Sequence, residues 1–300
     1  MPETTKRTVL VAGATGKQGG AVADLLRARG HEVVAYVRNP DAPAAATLAA
    51  DGVRLAVGDL ADSAALTTAA RGVDAIFGLT VPFGEHGAAE EIAQGRAIGA
   101  AAEAVHAHLV HSSVRGAASD DDLKVEHASS KQVIERWFRE KELRVTSVQP
   151  VYFMENALNV GFNRLPQGVY AFPLSADRRL DQVTVLDIAG LAVHAIENPD
   201  TLIGRRIDVV SDSLTTLEVA GILSDVLGKD IPYANIPIPQ VRQWAGDEIA
   251  DMFQSFEDTP LHTDVAALHA EFPEVGWHDF RRWAEQVDWE RAFAQTPTWG

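Results

Sequence analysis

Glycines near the amino terminus have the spacing of a phosphate-binding turn. Gly13, Gly16 and Gly19 form the run Gly-x-x-Gly-x-x-Gly, between an apolar stretch and a segment with helical spacing. Glycine tolerates positive φ and lets a ligand approach the backbone, and a helix that begins at such a turn offers free N–H groups to an anion. The pattern predicts that a dinucleotide pyrophosphate binds here, although a tight turn without a ligand is the structural alternative. The predicted contacts are Gly13, Thr15, Gly16, Lys17, Gln18 and Gly19.

The residues after the second predicted strand favour NADP(H) over NAD(H). An NAD-binding fold usually has an acidic residue there, about 20 residues past the glycines, to bind the ribose 2′-hydroxyl. Arg38 stands at that place in this chain, and a guanidinium suits a phosphate. Lys17 could add a second positive charge. Asp41 keeps NAD binding open, and a solvated Arg38 is the alternative.

Further cofactor contacts are predicted where the third and fourth strands end, because ligands bind at the carboxyl edge of a parallel sheet. Asp59 and Leu60 follow the third strand. The Asp59 carboxylate could accept a hydrogen bond from adenine, or it could cap the next helix. The residues after the fourth strand should line the nicotinamide ribose and, in the case of Phe83, the substrate; they are Thr80, Val81, Pro82 and Phe83.

The sequence lacks the usual proton donor of a short-chain dehydrogenase. Such enzymes have a serine after the fifth strand and a Tyr-x-x-x-Lys pair on the next helix, where the tyrosine donates a proton. This chain has Ser112 and Ser113 at the first place, but no tyrosine precedes a lysine by four residues. His127 stands where the tyrosine would be, one helical turn before Lys131.

Two interpretations of this helix are open. In the first, Lys131 holds the nicotinamide ribose, and His127 or a nearby water supplies a proton. In the second, both are exposed residues of an amphipathic helix, and we favour this second interpretation for His127. The histidines show no metal-ligand spacing, so no metal site is predicted.

The first half of the chain alternates between apolar strands and helices, which predicts an α/β fold. Near-continuous apolar strands with intervening helices form a parallel sheet covered on both faces. We therefore predict a Rossmann-type, doubly wound sheet. The predicted strands are 9–12, 32–37, 53–57, 75–79, 109–112 and 145–148, and the predicted helices are 17–29, 43–50, 63–70, 88–105 and 129–141.

The second half is less regular and predicts a smaller, mostly helical C-terminal lobe. Strands are expected at 169–172, 183–186 and 206–210, and helices at 188–197 and from residue 215 or 216 to about 227. The predicted organisation is a Rossmann domain of residues 1–153, with returning segments at about 182–212. Residues 154–181 and 213–300 then form the substrate or partner lobe.

The composition excludes several classes of function. Acidic residues exceed basic ones, and the formal net charge of −16 disfavours direct binding to nucleic acid or an anionic membrane. The absence of cysteine excludes disulfides and thiolate catalysis. We find no signal peptide and no stretch long enough to span a membrane, so a cytoplasmic location is expected.

The chain resembles the NmrA-like family of atypical short-chain dehydrogenase/reductases. Residues 11–19, 37–40, 130–131, 149–156, 185–189 and 214–220 carry the resemblance, which spans residues 8 to about 239. It implies an NADP(H)-binding Rossmann domain and keeps the family lysine at Lys131, for which it favours a functional role. Pro150 and Tyr152 join the expected cofactor contacts. The expected substrate pocket consists of Phe83, Ser112, Ser113, Phe153, Met154 and Asn156.

Members of the family are of two kinds, and both remain open. Some reduce quinones or related acceptors with NADPH, while others resemble redox sensors that bind the dinucleotide and a protein partner. An aromatic pocket would suit a flat small-molecule acceptor such as a quinone or enone. Reduction of such an acceptor needs positioning more than a dedicated acid. The acidic surface could instead meet a basic partner, and an oligomer is possible.

Overall fold

The computed structural model describes residues 5–82, 87–117, 126–259 and 263–294, and leaves out the side chains of residues 126, 127, 160 and 161. Phe83 therefore lies outside the described residues, as does the side chain of His127. The chain folds into two compact units. Unit 1 comprises Met1–Pro150 and Ile188–Val209, and unit 2 comprises Val151–Asp187 and Val210–Gly300.

The chain forms the following elements. The strands are β1 (Thr8–Ala12), β2 (Glu32–Val37), β3 (Arg54–Val57), β4 (Ala75–Leu79), β5 (His108–Ser112), β6 (Val145–Pro150), β7 (Tyr152–Phe153), β8 (Tyr170–Phe172), β9 (Arg179–Val183), β10 (Arg206–Val209), β11 (Asp212–Thr215) and β12 (Tyr233–Asn235). The helices are α1 (Lys17–Ala28), α2 (Pro43–Ala50), α3 (Ser63–Ala69), α4 (Gly87–Val105), α5 (Glu126–Glu140), α6 (Val160–Asn163), α7 (Val185–Glu197), α8 (Pro199–Leu202), α9 (Thr216–Leu227), α10 (Ile238–Asp258), α11 (Val265–Glu271), α12 (Phe280–Gln286) and α13 (Trp289–Ala294).

Unit 1 is a doubly wound parallel sheet, which confirms the predicted fold class. Within the described residues the sheet has seven strands in the order β10-β6-β5-β4-β1-β2-β3. Val9 pairs with Val33 on one side and with Ala75 on the other, so the strand order reverses between β1 and β4. The carboxyl ends of the strands beside this reversal form the edge where α/β sheets bind ligands.

The inner strands of unit 1 (β6, β5, β4, β1 and β2) are buried on both faces because helices cover them, whereas the edge strand β3 is exposed or half-buried along its length. In β1, Val9, Leu10, Val11 and Ala12 are fully buried, as the continuous apolar run predicts. Leu10 belongs to one core cluster with residues of α3, α4 and α5. This packing fixes the helices that carry the side chains of the site.

The segment that returns to unit 1 comprises residues 188–209 and is shorter than the expected 182–212. Within it, β10 pairs with β6 in the main sheet. The strand predicted at 183–186 is wrong, because β9 ends at Val183 and α7 begins at Val185. Strand β9 instead pairs with β7 and β11 in a small sheet of unit 2.

Unit 2 is built mainly from helices around an aromatic core. Phe253 of α10 packs against Tyr152, Phe162 and Phe172, with ring centroids 5.5–6.1 Å apart. The predicted helix at 216–227 is confirmed as α9, which begins with a capping box of Thr215 and Glu218 and ends at Gly228 in the left-handed region. In the part of the chain that the structure describes, no helix is long and apolar enough to cross a membrane.

Candidate functional site

The glycine turn after β1 packs so closely that there is no room for a side chain at Gly13 or Gly19. Gly13 has φ +66°, and a Cβ atom there would meet the side chain of Leu79 at 3.1 Å. A Cβ on Gly19 would lie 2.9 Å from the carbonyl oxygen of Ala12 and closer still to that of Gly13. The amide of Gly16 donates to the Gly13 carbonyl at 2.9 Å. The turn therefore requires Gly13 and Gly19, and it brings the start of α1 against the end of β1.

The amino terminus of α1 is left open to an anion. Its N-cap residue, Gly16, supplies no side-chain hydrogen bond, and the first turn carries no acidic residue. The first N–H groups of a helix have no acceptor within the helix, and the macrodipole adds a partial positive charge there. Thr15, Gly16 and Lys17 are exposed. This geometry fits a pyrophosphate, so the observed turn accommodates the group that the sequence predicts.

Arg38 stands free at the end of β2. It is exposed, and within the described residues it forms no ion pair. The neighbouring Asn39 accepts a hydrogen bond from the amide of Asp41 at 3.0 Å, which folds Asp41 into a local turn. A charged guanidinium is thus available at this edge of the sheet, as is the exposed Lys17.

The ends of β2 and β3 are joined by a buried phenol. Tyr36 donates its hydroxyl to the backbone oxygen of Asp59 at 3.0 Å, in the space that the missing side chain of Gly58 leaves. Burial, followed by the carboxylates of Asp62 and Asp59, raises the pKa of Tyr36 to about 12, so the phenol stays neutral. The Asp59 carboxylate accepts from the amide of Ala61 at 2.8 Å in a local turn. The helix-capping alternative for Asp59 is wrong, because Asp62 caps α3.

Val57 and Val81 are large apolar residues exposed at the carboxyl edge, at 55% and 43%. Both stand where a strand of the main sheet ends, beside Leu60 and Pro82, which are half-buried. Isolated exposed valines are ordinary, but two at one sheet edge offer apolar surface to the flat faces of a ligand. The backbone amide of Val81 donates to the side-chain oxygen of Gln94 at 2.9 Å, which fixes this strand end.

Lys131 lies in a buried cluster at the end of β4. Its ammonium donates to the hydroxyl of Thr80 at 2.8 Å and to the carboxylate of Glu91 at 2.6 Å. Thr80 and Ser130 also donate to the Glu91 carboxylate. Glu91 is 0% exposed and Lys131 is 7% exposed. We name Thr80, Glu91, Ser130 and Lys131 the lysine cluster.

Glu91 is ionised within the lysine cluster. Burial raises the pKa of this carboxyl, but the Lys131 ammonium and the hydrogen bonds from Lys131, Ser130 and Thr80 lower it more, so the pKa lies below its usual value. Glu91 is therefore a hydrogen-bond acceptor near neutral pH and cannot supply a proton.

The serines at the end of β5, Ser112 within the strand and Ser113 just after it, are buried. Ser112 is 3% exposed and donates its hydroxyl to the side-chain oxygen of Gln18 at 2.7 Å, while Ser113 is 5% exposed. This bond ties the glycine turn to the end of β5. Both expected substrate contacts are thus almost closed to solvent.

A second buried carboxylate, that of Glu135, connects α5 with β5 and β6. Glu135, one turn after Lys131, accepts from Ser147 at 2.8 Å and lies 3.4 Å from Nδ1 of His111. Burial raises the pKa of Glu135, but the hydrogen bond and charge of His111 and the hydrogen bonds from serines lower it further. The buried face of α5 thus carries Lys131, which belongs to the lysine cluster, and Glu135, which bonds His111 and Ser147.

Of the remaining expected cofactor contacts, Pro150 is buried at the end of β6 and Tyr152 lies in unit 2, as do the remaining pocket residues. Tyr152, Met154 and Asn156 line a small cavity of about 10 Å³, which is room for one water. Met154 is 1% exposed and belongs to the core of unit 2, whereas Phe153 is half-buried and Asn156 is exposed. Burial raises the pKa of the Tyr152 phenol, and a hydrogen bond with Asn156 offsets part of the shift.

Sequence reasoning missed Glu91, Gln94 and Val57. Glu91 precedes Ile98 by seven residues, and both lie on the buried face of α4. A carboxylate at that helical spacing was the available signal, because such a position is normally apolar. No comparable signal marked Val57. Within the described residues, no group of three or more potential ligands could hold a metal ion.

Comparisons with known proteins give a family match and individual relatives. The chain matches the NmrA-like family over residues 5–285. It is 32% identical to the NAD(P)H azoreductase of Xenophilus azovorans, over 78% of the chain and 79% of that protein. It is 28% identical to quinone oxidoreductase 2 of Escherichia coli strain K12, over 76% and 77% of the two chains.

Solved structures share the fold. The NADPH-dependent quinone oxidoreductase of Escherichia coli in complex with NADPH superposes with a TM-score of 0.77 at 22% identity, covering 92% of this chain and 98% of that one. The negative transcriptional regulator NmrA in complex with NAD also gives a TM-score of 0.77 at 22% identity, covering 96% and 97%. At these identities the likeness is one of fold alone.

Proposed function

This chain belongs to the NmrA-like family, and from that premise we propose that it is an NADPH-dependent oxidoreductase that passes hydride to a small conjugated acceptor such as a quinone or enone. The observation that carries the cofactor half of the proposal is the glycine turn, with its excluded side chains and its uncapped helix. The azoreductase and quinone oxidoreductase relatives support the choice of acceptor class. We also propose a cytoplasmic location.

The residues of unit 1 would divide the binding of the dinucleotide among them. The N–H groups at the start of α1 would hold the pyrophosphate, and Arg38 with Lys17 would hold the 2′-phosphate of NADP(H). Lys131 would donate its remaining N–H to the nicotinamide ribose, and the Thr80 oxygen, whose proton goes to Glu91, would accept from a ribose hydroxyl. Val57 and Val81 would cover the flat faces of the ligand, with adenine beside Val57.

When bound, the reduced nicotinamide supplies the hydride. The residues of this chain then position the acceptor and stabilise developing charge. The sequence lacks the Tyr-x-x-x-Lys donor and Glu91 is ionised, so the reaction must be one that needs no proton from either. A quinone or azo acceptor spreads the charge it gains over a conjugated system and can take its proton from water. A simple ketone cannot, so we expect it to be a poor substrate.

The experiment is to follow NADPH consumption by the wild-type protein with quinones, enones, azo dyes and simple ketones. The proposal expects turnover with the conjugated acceptors and little with the ketones. Tight NADPH binding without turnover of any conjugated acceptor would contradict it.

A second function is favoured by the lysine cluster itself. The Lys131 ammonium is already directed at Glu91 and Thr80, and the sequence has no tyrosine four residues before Lys131, which suits a protein that senses NADP(H) and regulates a partner. Capture of a protein partner by only the NADP⁺-loaded or only the NADPH-loaded form, without turnover, would support this alternative. Capture that ignores the redox form would count against it.

A further inference from the structure

The lysine cluster places an ion pair where burial makes it costly. The free-energy cost of moving two charges out of water is offset only if every donor and acceptor of the pair is well hydrogen-bonded. Here Glu91 receives hydrogen bonds from Lys131, Ser130 and Thr80, and Lys131 uses two of its three N–H donors on Glu91 and Thr80. The three elements that meet at the cluster are β4, α4 and α5. The cluster fixes the direction of the ammonium and balances its charge.

We propose that Glu91 is a positioning residue that holds the Lys131 ammonium at the end of β4 and cancels its charge, so that the site accepts the oxidised cofactor as readily as the reduced one. The inference rests on the proposed function, since it assumes that the dinucleotide binds at this edge. The nicotinamide ring is positively charged only in NADP⁺. A bare ammonium would therefore repel NADP⁺ more than NADPH, and a neutral cluster removes that difference.

The charge of the cluster can be set in steps by substitution. The wild type is neutral, and Glu91→Gln leaves a charge of about +1. Lys131→Met leaves a charge between 0 and −1, because the buried carboxyl loses the ammonium that lowers its pKa, and the double variant is neutral again. Glu91→Gln keeps the size and one acceptor oxygen of the side chain. The matched control is Glu103→Gln, which removes an exposed carboxylate from the same helix.

The measurement is the dissociation constant of each variant for NADP⁺ and for NADPH, by titration calorimetry of the full chain. We expect the ratio of the NADP⁺ constant to the NADPH constant to rise about ten-fold in Glu91→Gln and to fall by a smaller factor in Lys131→Met, where the carboxyl is ionised only in part. The ratio should return to the wild-type value in the double variant and stay unchanged in Glu103→Gln.

Equal ratios in all variants would overturn the inference, as would an equal shift in Glu103→Gln. If Glu91→Gln does not fold, Lys131→Met and the double variant decide: the double variant must restore the wild-type ratio, and failure to do so overturns the inference. A wild-type protein that binds neither form of the cofactor would refute the proposed function itself, before any variant is compared.

Discussion

The carbonyl of Gly13 lies directly over Gly19, so that residue 19 has no room for a side chain. The contact joins the end of β1 to the first turn of α1 and leaves the helix N–H groups facing outward. The close packing of α1 against the turn and the direction of the α1 N–H groups both depend on the absence of a side chain at Gly19. The first prediction tests this relationship.

We expect Gly19→Ala to abolish NADPH binding, because the added methyl would push α1 away from the turn. Overpacking of this kind also lowers the free energy of unfolding by about 1–3 kcal/mol. Gly221→Ala is the control, since a Cβ at this helical glycine of α9 meets nothing within 4 Å. Calorimetric titration with NADPH and thermal denaturation check both. Binding retained in a folded Gly19→Ala protein would disprove the role of the turn.

Replacement of Arg38 tests the choice of cofactor. If its guanidinium binds the 2′-phosphate, Arg38→Ala loses a charged hydrogen bond of about 1.5–3 kcal/mol, which weakens NADPH about 10- to 100-fold. Affinity for NADH, which has no such phosphate, should hardly change. Arg71→Ala removes the same charge from an exposed position before β4, at the opposite edge of the sheet. An equal loss for both cofactors would refute the assignment.

The buried His108 makes stability depend on pH. Its Nε2 lies 2.8 Å from the Thr146 hydroxyl, which itself donates to the Leu202 carbonyl at 2.7 Å, so the neutral imidazole donates here. Burial first, then the charges of Arg144 and Arg7, lower the pKa of His108 from 6.5 to about 4. The unfolded chain therefore takes up this proton first, and stability is lost as the pH falls from 6.5 towards 4.

We expect this histidine to remove about 2 kcal/mol of unfolding free energy between pH 6.5 and about 5. His108→Gln keeps a donor for Thr146 but cannot be protonated, so its stability should fall less over that interval. Urea denaturation at several pH values measures the difference, with His106→Gln as the control for an exposed histidine. The same pH dependence in wild type and His108→Gln would contradict the expectation.

Met154 distinguishes a packing role from a substrate contact. Its side chain is 1% exposed in the core of unit 2, so Met154→Ala should cost about 2–5 kcal/mol of unfolding free energy. The affinity for NADPH should stay the same, and Met154→Leu, which conserves volume, should restore most of the stability. Chemical denaturation and NADPH titration check this. A stable Met154→Ala protein with a changed KM for a quinone would instead support the pocket role.

The sequence predicted the parallel sheet well because local signals and burial agree there. Apolar runs such as 9–12 and 75–79 are buried on both faces, and each lies within an observed strand. The error at 183–186 arose because apolar residues of this segment belong to the first turn of α7 and not to a strand. A segment of only four residues can show the same apolar pattern in a strand and in a helix, and tertiary packing decides between the two.

The lysine cluster could not be predicted in full for a different reason. Lys131 was found from its place after the fifth strand, but its partner Glu91 lies 40 residues away in the chain. Which carboxylate meets which ammonium depends on how α4 packs against α5, and helical spacing alone does not encode that register. The same limit applies to Gln18 and Ser112, whose hydrogen bond joins residues 94 positions apart.

The most direct test of the account is a single-turnover experiment with the wild-type protein. NADPH, deuterated at the transferable position of the nicotinamide, is bound to excess protein and mixed with a naphthoquinone, and the loss of nicotinamide absorbance is followed over time. The account predicts rapid quinone reduction that is slower with the deuterated cofactor than with ordinary NADPH. Bound NADPH that stays reduced in the presence of the quinone would contradict it.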